Sequence, residues 1–158
     1  MAPYVAGLER RGIAARAVAL PRGRTPPALV AYRGALAPLD VGRTFIGGHS
    51  FGGRIASLLA AETEVAGLVL FSYPLHPPGR QERWDERTAH WPAIRCPVLL
   101  LSGESDMFAD IGLLRKAVKR LPNAELVTYP RVRHGIGPVL ADALDRVARF
   151  AATIGLGE

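Results

Sequence analysis

Apolar residues recur along the whole chain at two spacings, and these spacings alternate. Where they stand three and four positions apart, the pattern predicts amphipathic helices. This helical spacing occurs at residues 3–11, 25–36, 54–61, 113–121 and 139–148. Gly12 directly follows the first of these segments, and glycine is a common C-terminal helix cap.

Shorter apolar stretches between the helices predict β-strands. They lie at residues 13–20, 44–49, 65–73, 97–102 and 125–129. Residues 65–73 and 97–102 are almost continuously apolar, as in strands that are buried on both faces of a parallel sheet. Strands that alternate with helices indicate an α/β fold with about five mostly parallel strands and helices on both faces.

Composition narrows the class of protein. The chain has 158 residues, of which 49% are apolar, so we expect a single domain over residues 1–158 with a substantial core. We find no apolar run long enough for a membrane span and no signal-peptide pattern at the start. Cys96 is the only cysteine and is expected to be a small buried residue. These features favour a cytoplasmic protein.

The positive charge of the chain does not indicate nucleic-acid binding. The formal net charge is +6 at pH 7, but the arginines are spread over the whole length. No stretch interleaves basic with aromatic residues in the way that a base-stacking surface requires. We therefore expect neither a nucleic-acid nor a membrane partner.

The first candidate catalytic motif is Gly48-His49-Ser50-Phe51-Gly52. It has the form G-x-S-x-G and lies between a predicted strand and a predicted helix. In that setting a sharp turn lifts the serine hydroxyl above the sheet, and the glycines allow close backbone approach. Ser50 is therefore a candidate nucleophile. The alternative is a tight glycine turn that serves only packing between the strand and the helix.

A nucleophilic serine needs a base and a carboxylate that orients the base, in the chain order Ser, acid, His for this type of turn. Asp106 follows the strand at 97–102, and His134 follows the strand at 125–129. The carboxyl ends of parallel strands share one edge, so the three side chains are expected to meet there. Glu104 is the competing acid. Asp106 could instead cap the next helix, and His134 could be an ordinary loop histidine.

Residues 74–95 form the one long excursion between strands, with at most a short helix around residues 81–88. We expect it to be a lid-like, substrate-facing wall of the site. Candidate substrate contacts are His76, Trp84 and Trp91, together with His49 beside the nucleophile. The alternative for the two tryptophans is that they bury the excursion against the core.

Four segments together resemble the small α/β-hydrolases of the dienelactone-hydrolase-like group. They are GGHSFGGR at 47–54, SYPLHPPG at 72–79, SGESD at 102–106 and His134-Gly135. The resemblance covers about residues 1–150 and implies that Ser50, Asp106 and His134 are nucleophile, orienting acid and general base. It implies a small-molecule ester or acyl substrate, and neither a metal nor an organic cofactor.

The chain departs from that group at its beginning. In the group, a central strand before the first helix donates a backbone N–H to the oxyanion hole. Here the N-terminal strands of the family are missing, so the expected sheet is truncated and only Phe51 has an evident N–H for the oxyanion. Three explanations would account for the missing strands: an upstream start, a natural minimal protein, or a partner subunit. The exposed edge of a truncated sheet could also pair two copies of the chain as a homodimer. The alternative function is a non-catalytic binding or interaction protein of the same fold.

Overall fold

The computed structural model describes residues 1–155 and contains six α-helices and four β-strands in that part of the chain. The elements in chain order are α1 (Ala2–Glu9), α2 (Thr25–Leu36), β1 (Phe45–His49), α3 (Phe51–Ala60), β2 (Gly67–Phe71), α4 (Trp84–Arg87), β3 (Val98–Gly103), α5 (Ile111–Val118), β4 (Ala124–Tyr129) and α6 (Leu140–Thr153). None of these helices is long and apolar enough to cross a lipid bilayer.

The four strands form one parallel sheet in the order β1-β2-β3-β4. The prediction of a truncated α/β fold with parallel strands and helices on both faces is confirmed. All residues of β2 and β3 are buried, as their continuous apolar runs indicated. All four strands end at the same edge of the sheet, where the loops that follow them can meet.

The two faces of the sheet support separate apolar cores. On one face, Leu68, Leu70 and Leu100 pack with residues of α2, α3 and α5. On the other face, Val69, Leu99 and Leu101 pack with residues of α1 and α6. Because side chains alternate along a strand, neighbouring residues of one strand stabilise opposite layers.

The predicted strand at residues 13–20 was wrong, because this segment has no regular secondary structure. The apolar alternation is present there, but the segment forms no ladder with any of the four described strands. The sheet therefore has four described strands, and β1 is an edge. The Tyr32 hydroxyl donates to the carbonyl of Gly47 (2.8 Å) and accepts from its N–H (3.1 Å), so both backbone groups of this residue of β1 have a partner.

Candidate active site

Ser50 lies on a strained turn between β1 and α3. Its φ is 51° and its ψ is −120°, a conformation that costs a non-glycine residue on the order of 1–3 kcal/mol. Two backbone hydrogen bonds hold it: the Ser50 N–H donates to the carbonyl of Phe71 (2.9 Å), and the Ser50 carbonyl accepts from the N–H of Arg54 (3.0 Å). The turn therefore joins β1, β2 and α3 at the carboxyl edge of the sheet.

Glycine is required where β1 and α3 cross. A Cβ on Gly48 would lie 2.5 Å from the carbonyl carbon of Gly52, and one on Gly53 would lie 2.7 Å from the carbonyl oxygen of Gly48. Both distances are shorter than real Cβ contacts, and both involve backbone atoms that cannot move aside cheaply. The glycines of the motif thus allow the close approach that fixes the direction of the Ser50 side chain.

His134 brings the other two candidate residues into one hydrogen-bonded line. Its Nε2 lies 2.7 Å from the Ser50 hydroxyl oxygen, and its Nδ1 lies 2.8 Å from Oδ2 of Asp106. A carboxylate only accepts, so Nδ1 carries a proton and Nε2 is free to accept the proton of Ser50. The Asp106 side chain is fully buried, whereas 24% of the His134 side chain is exposed.

The acid is held by its own loop. Oδ1 of Asp106 accepts a hydrogen bond of 2.8 Å from the N–H of Phe108, which leaves Oδ2 for His134. Glu104, the competing acid, points elsewhere: its Oε1 accepts from the Thr128 hydroxyl at 2.7 Å and lies 3.6 Å from Arg115. Asp106 is therefore the carboxylate that contacts the imidazole.

His76 and Trp91 are both buried, and contact of these two residues with substrate stays a prediction. His76 is 1% exposed; its Nδ1 donates to the carbonyl of Pro77, and its Nε2 accepts from the N–H of Asp110, both at 2.9 Å. Trp91 is 0% exposed and packs edge-on against Tyr73, with ring centroids 5.0 Å apart. Both side chains attach the excursion to the core.

The other two predicted substrate contacts remain accessible in part. Trp84 packs beneath the guanidinium of Arg120, 4.3 Å from its ring centroid, and so connects α4 to the α5 side of the molecule. His49 is half-buried, and burial lowers its pKa below the usual value. Its Nε2 donates a 3.0 Å hydrogen bond to the carbonyl of His134. Substrate contact by these two residues stays a prediction.

Two features of the site were not anticipated from the sequence. The Phe108 ring packs on the His134 imidazole, with centroids 4.4 Å apart and planes tilted by 43°. Gly103, at the end of β3, lies against the backbone of the loop that carries His134: a Cβ there would be 2.1 Å from the carbonyl oxygen of Val132. No local signal marks either residue, because both contacts join segments that are distant in sequence.

The pattern of elements and the site agree with a family match over most of the chain. Residues 21–148 match the family model described as an alpha/beta hydrolase domain. The chain belongs to this family. This α/β-hydrolase domain carries its serine, histidine and aspartate on the loops after β1, β4 and β3.

Solved structures share the fold at low sequence identity. A predicted CIB-like hydrolase from Thermoplasma acidophilum is 19% identical with a TM-score of 0.63, over 87% of this chain and 66% of that one. The esterase domain of a Rhodothermus marinus protein is 15% identical with a TM-score of 0.71, covering 98% and 80%. A Paleococcus ferrophilus monoacylglycerol lipase is 13% identical with a TM-score of 0.75, covering 97% and 88%. This chain thus spans about two thirds of the length of the Thermoplasma acidophilum hydrolase.

Proposed function

We propose that the chain is a serine hydrolase for a small-molecule ester or related acyl substrate, with Ser50 as nucleophile, His134 as general base and Asp106 as orienting acid. The observation that carries this proposal is the continuous line from Asp106 Oδ2 through His134 to the Ser50 hydroxyl, with contacts of 2.8 and 2.7 Å. A purely structural turn would not require a base aimed at the serine hydroxyl.

The proposed reaction has two halves. Nε2 of His134 takes the Ser50 proton while Oγ forms a bond to the acyl carbon, and the N–H of Phe51 at the start of α3 stabilises the oxyanion. The imidazolium then gives its proton to the leaving alcohol, which departs and leaves an acyl-enzyme. Water, deprotonated by His134, then attacks the acyl carbon, the bond from that carbon to Oγ breaks, the carboxylic acid leaves, and the imidazolium returns its proton to Ser50.

The finer assignment follows from the resemblance described above. We place the chain with the dienelactone-hydrolase-like group, as a carboxylesterase-type enzyme that needs no metal or organic cofactor and acts in the cytoplasm. Residues 74–95 are the wall of the substrate site, and the single domain proposed for residues 1–158 is described over residues 1–155. The free edge of β1 is where two copies would pair as a homodimer.

A fluorophosphonate probe tests the nucleophile directly. We expect one adduct, mapped to Ser50 by mass spectrometry, and no adduct in S50A. The D106N variant should label more slowly by about a hundredfold or more, because the imidazole loses the carboxylate that selects its tautomer. E104Q is the matched control, since Glu104 contacts Thr128 rather than His134.

Each result has a clear meaning. Absence of labelling in folded wild-type protein would contradict the proposal. Labelling without turnover of p-nitrophenyl esters would favour the alternative function, a binding protein that retains the turn. Equal losses in E104Q and D106N would contradict the assignment of the acid.

A further inference from the structure

An aromatic side chain lies directly against the candidate base. The Phe108 ring packs on the His134 imidazole, with ring centroids 4.4 Å apart and planes tilted by 43°. Rings at this separation are in van der Waals contact. Nε2 of the same imidazole lies 2.7 Å from the Ser50 hydroxyl oxygen. Because Nε2 is an atom of that imidazole, the Phe108 ring also lies close to any group that is hydrogen bonded to Nε2.

The loop of the acid fixes the backbone that carries this ring. The N–H of Phe108 donates to Oδ1 of Asp106 at 2.8 Å. The Phe108 carbonyl accepts from the N–H of His76 at 3.0 Å, and His76 is 1% exposed. The next residue, Ala109, is fully buried. The backbone is therefore ordered before a ligand arrives, which lowers the cost of binding against the ring.

The ring keeps surface that a ligand can contact. Phe108 is half-buried, as is Ser50, and 24% of the His134 side chain is exposed. Small-molecule sites are lined mostly by apolar and aromatic side chains, with a few polar groups that fix the orientation of the ligand. An accessible aromatic ring beside a serine hydroxyl and an imidazole has this composition.

The proposed reaction determines which part of an ester meets the ring. When the bond from the acyl carbon to the alcohol oxygen breaks, the imidazolium gives its Nε2 proton to that oxygen. The alcohol oxygen must therefore lie within hydrogen-bonding distance of Nε2 of His134. The first carbons of the alcohol then lie beside the imidazole, on which Phe108 packs. The leaving alcohol is thus the part of the substrate that the Phe108 ring can contact during proton transfer.

We infer that Phe108 is a specificity-determining residue that binds the leaving alcohol, and that the preferred substrates are esters whose alcohol carries an aromatic ring, or an apolar group of similar size, next to the ester oxygen. This inference rests on the proposed function and names its substrate class. Burial of apolar surface against the ring favours such alcohols, and contact between two aromatic rings adds to this preference. The contact acts on acylation alone, because the alcohol departs before water attacks the acyl-enzyme.

Two esters of one acid test the inference. Methyl butyrate and benzyl butyrate form the same acyl-enzyme, and their alcohols have similar acidity, so the two substrates differ mainly in the apolar ring. We expect kcat/KM, which reports acylation, to be about tenfold or more higher for benzyl butyrate. Equal kcat/KM values for the two esters in the wild type would overturn the inference.

Variants of the loop identify the residue responsible. F108A should lower the ratio of the two kcat/KM values by about tenfold, whereas F108Y keeps the ring and should keep the ratio. M107A is the matched control, because Met107 lies in the same loop and is 63% exposed. An unchanged ratio in F108A, or an equal decrease in M107A, would contradict the role of Phe108. If F108A does not fold, F108L decides: it keeps apolar volume without the aromatic ring and should lower the ratio by a smaller factor.

Probe labelling separates specificity from support of the base. A fluorophosphonate releases fluoride instead of an alcohol, so its reaction with Ser50 depends on His134 but not on the proposed contact. F108A should therefore lose less in labelling rate than in kcat/KM for benzyl butyrate. Equal losses in the two measurements would show that Phe108 only positions His134, and would overturn the inference.

Binding measurements separate the inference from the proposed function. NMR titration of S50A with benzyl alcohol should show binding, and S50A/F108A should bind it at least about tenfold more weakly. A wild type that hydrolyses both esters without a preference sinks only the role of Phe108. A protein that hydrolyses no ester but binds benzyl alcohol through Phe108 sinks only the hydrolase.

Discussion

Nε2 of His49 donates a hydrogen bond of 3.0 Å to the main-chain carbonyl of His134. The residue before the candidate nucleophile therefore holds the loop that carries the candidate base. The centroids of the two rings lie 5.2 Å apart, and the ring nitrogen within hydrogen-bonding distance of the Ser50 hydroxyl is Nε2 of His134. The turn sequence thus provides a support for the base as well as the nucleophile.

Removing this hydrogen bond should slow Ser50. H49F keeps an aromatic ring of similar size but has no donor, so the His134 loop loses about 1 kcal/mol of support. We expect fluorophosphonate labelling of Ser50 to slow by roughly tenfold, since small misplacements of reacting groups lower rates strongly. H49Q retains an N–H donor and should recover much of the rate. Equal labelling of H49F and wild type would show that the hydrogen bond does not position His134.

Gly103 gives a second test of the same loop. The Cβ of G103A would lie 2.1 Å from the Val132 carbonyl oxygen and 2.6 Å from that of Arg133, so the backbone before His134 must shift. We expect a lower melting temperature and labelling of Ser50 slowed by about tenfold or more. Melting curves and probe kinetics measure the two effects.

G137A is the matched control for that substitution. Gly137 lies in the same loop, and a Cβ there would meet nothing within 4 Å. Its melting temperature and probe kinetics should resemble those of the wild type. Similar behaviour of G103A and G137A would mean that the loop adjusts freely around Gly103, and that the close approach does not position His134.

The sequence was most informative where a prediction needed only one strand and the residues that directly follow it. The runs at β2 and β3 are apolar at every core position, so the parallel sheet was predicted correctly. Ser50, Asp106 and His134 each follow a strand, and parallel strands end at one edge, so their side chains were expected to meet. The structure brings them within hydrogen-bonding distance. Their chemical roles stay predictions.

The sequence failed where partners come from distant segments. Alternation at residues 13–20 resembles a strand, but a strand also needs a neighbour, which local spacing does not reveal. His76 and Trp91 were predicted to contact substrate because they lie in the long excursion at 74–95, and only the tertiary structure shows that both are buried. The choice between Glu104 and Asp106 depended on loop geometry, which sequence order alone does not determine.

His76 is expected to stabilise the loop that holds Asp106. Nε2 of its ring accepts from the N–H of Asp110 at 2.9 Å, and the backbone N–H of His76 donates to the carbonyl of Phe108 at 3.0 Å. H76A would leave the Asp110 N–H without its acceptor and create a cavity, at a cost of about 2–4 kcal/mol. Urea unfolding measures this loss, and H76Q, whose side-chain oxygen can accept the same N–H, should recover part of it. No loss in H76A would contradict the role.

The His90 imidazole should make the stability of the domain depend on pH. Burial and the charge of Arg54 lower its pKa from 6.5 to about 4 in the folded protein. Between these values the unfolded chain binds a proton that the folded chain does not. The free energy of unfolding therefore decreases as the pH falls through this window.

Urea unfolding at pH 7, 6 and 5 measures this dependence before most carboxylates are protonated. H90Q can still donate to the Ser57 oxygen but does not titrate, so its free energy of unfolding should decrease less over the same range. His90 is partly exposed, so water weakens the effect, and the difference between the two proteins is expected to be modest. An equal decrease in H90Q would show that other groups, such as His49, account for the whole dependence. The H49Q variant, measured in parallel, identifies that contribution, since the pKa of His49 is lowered in the same direction.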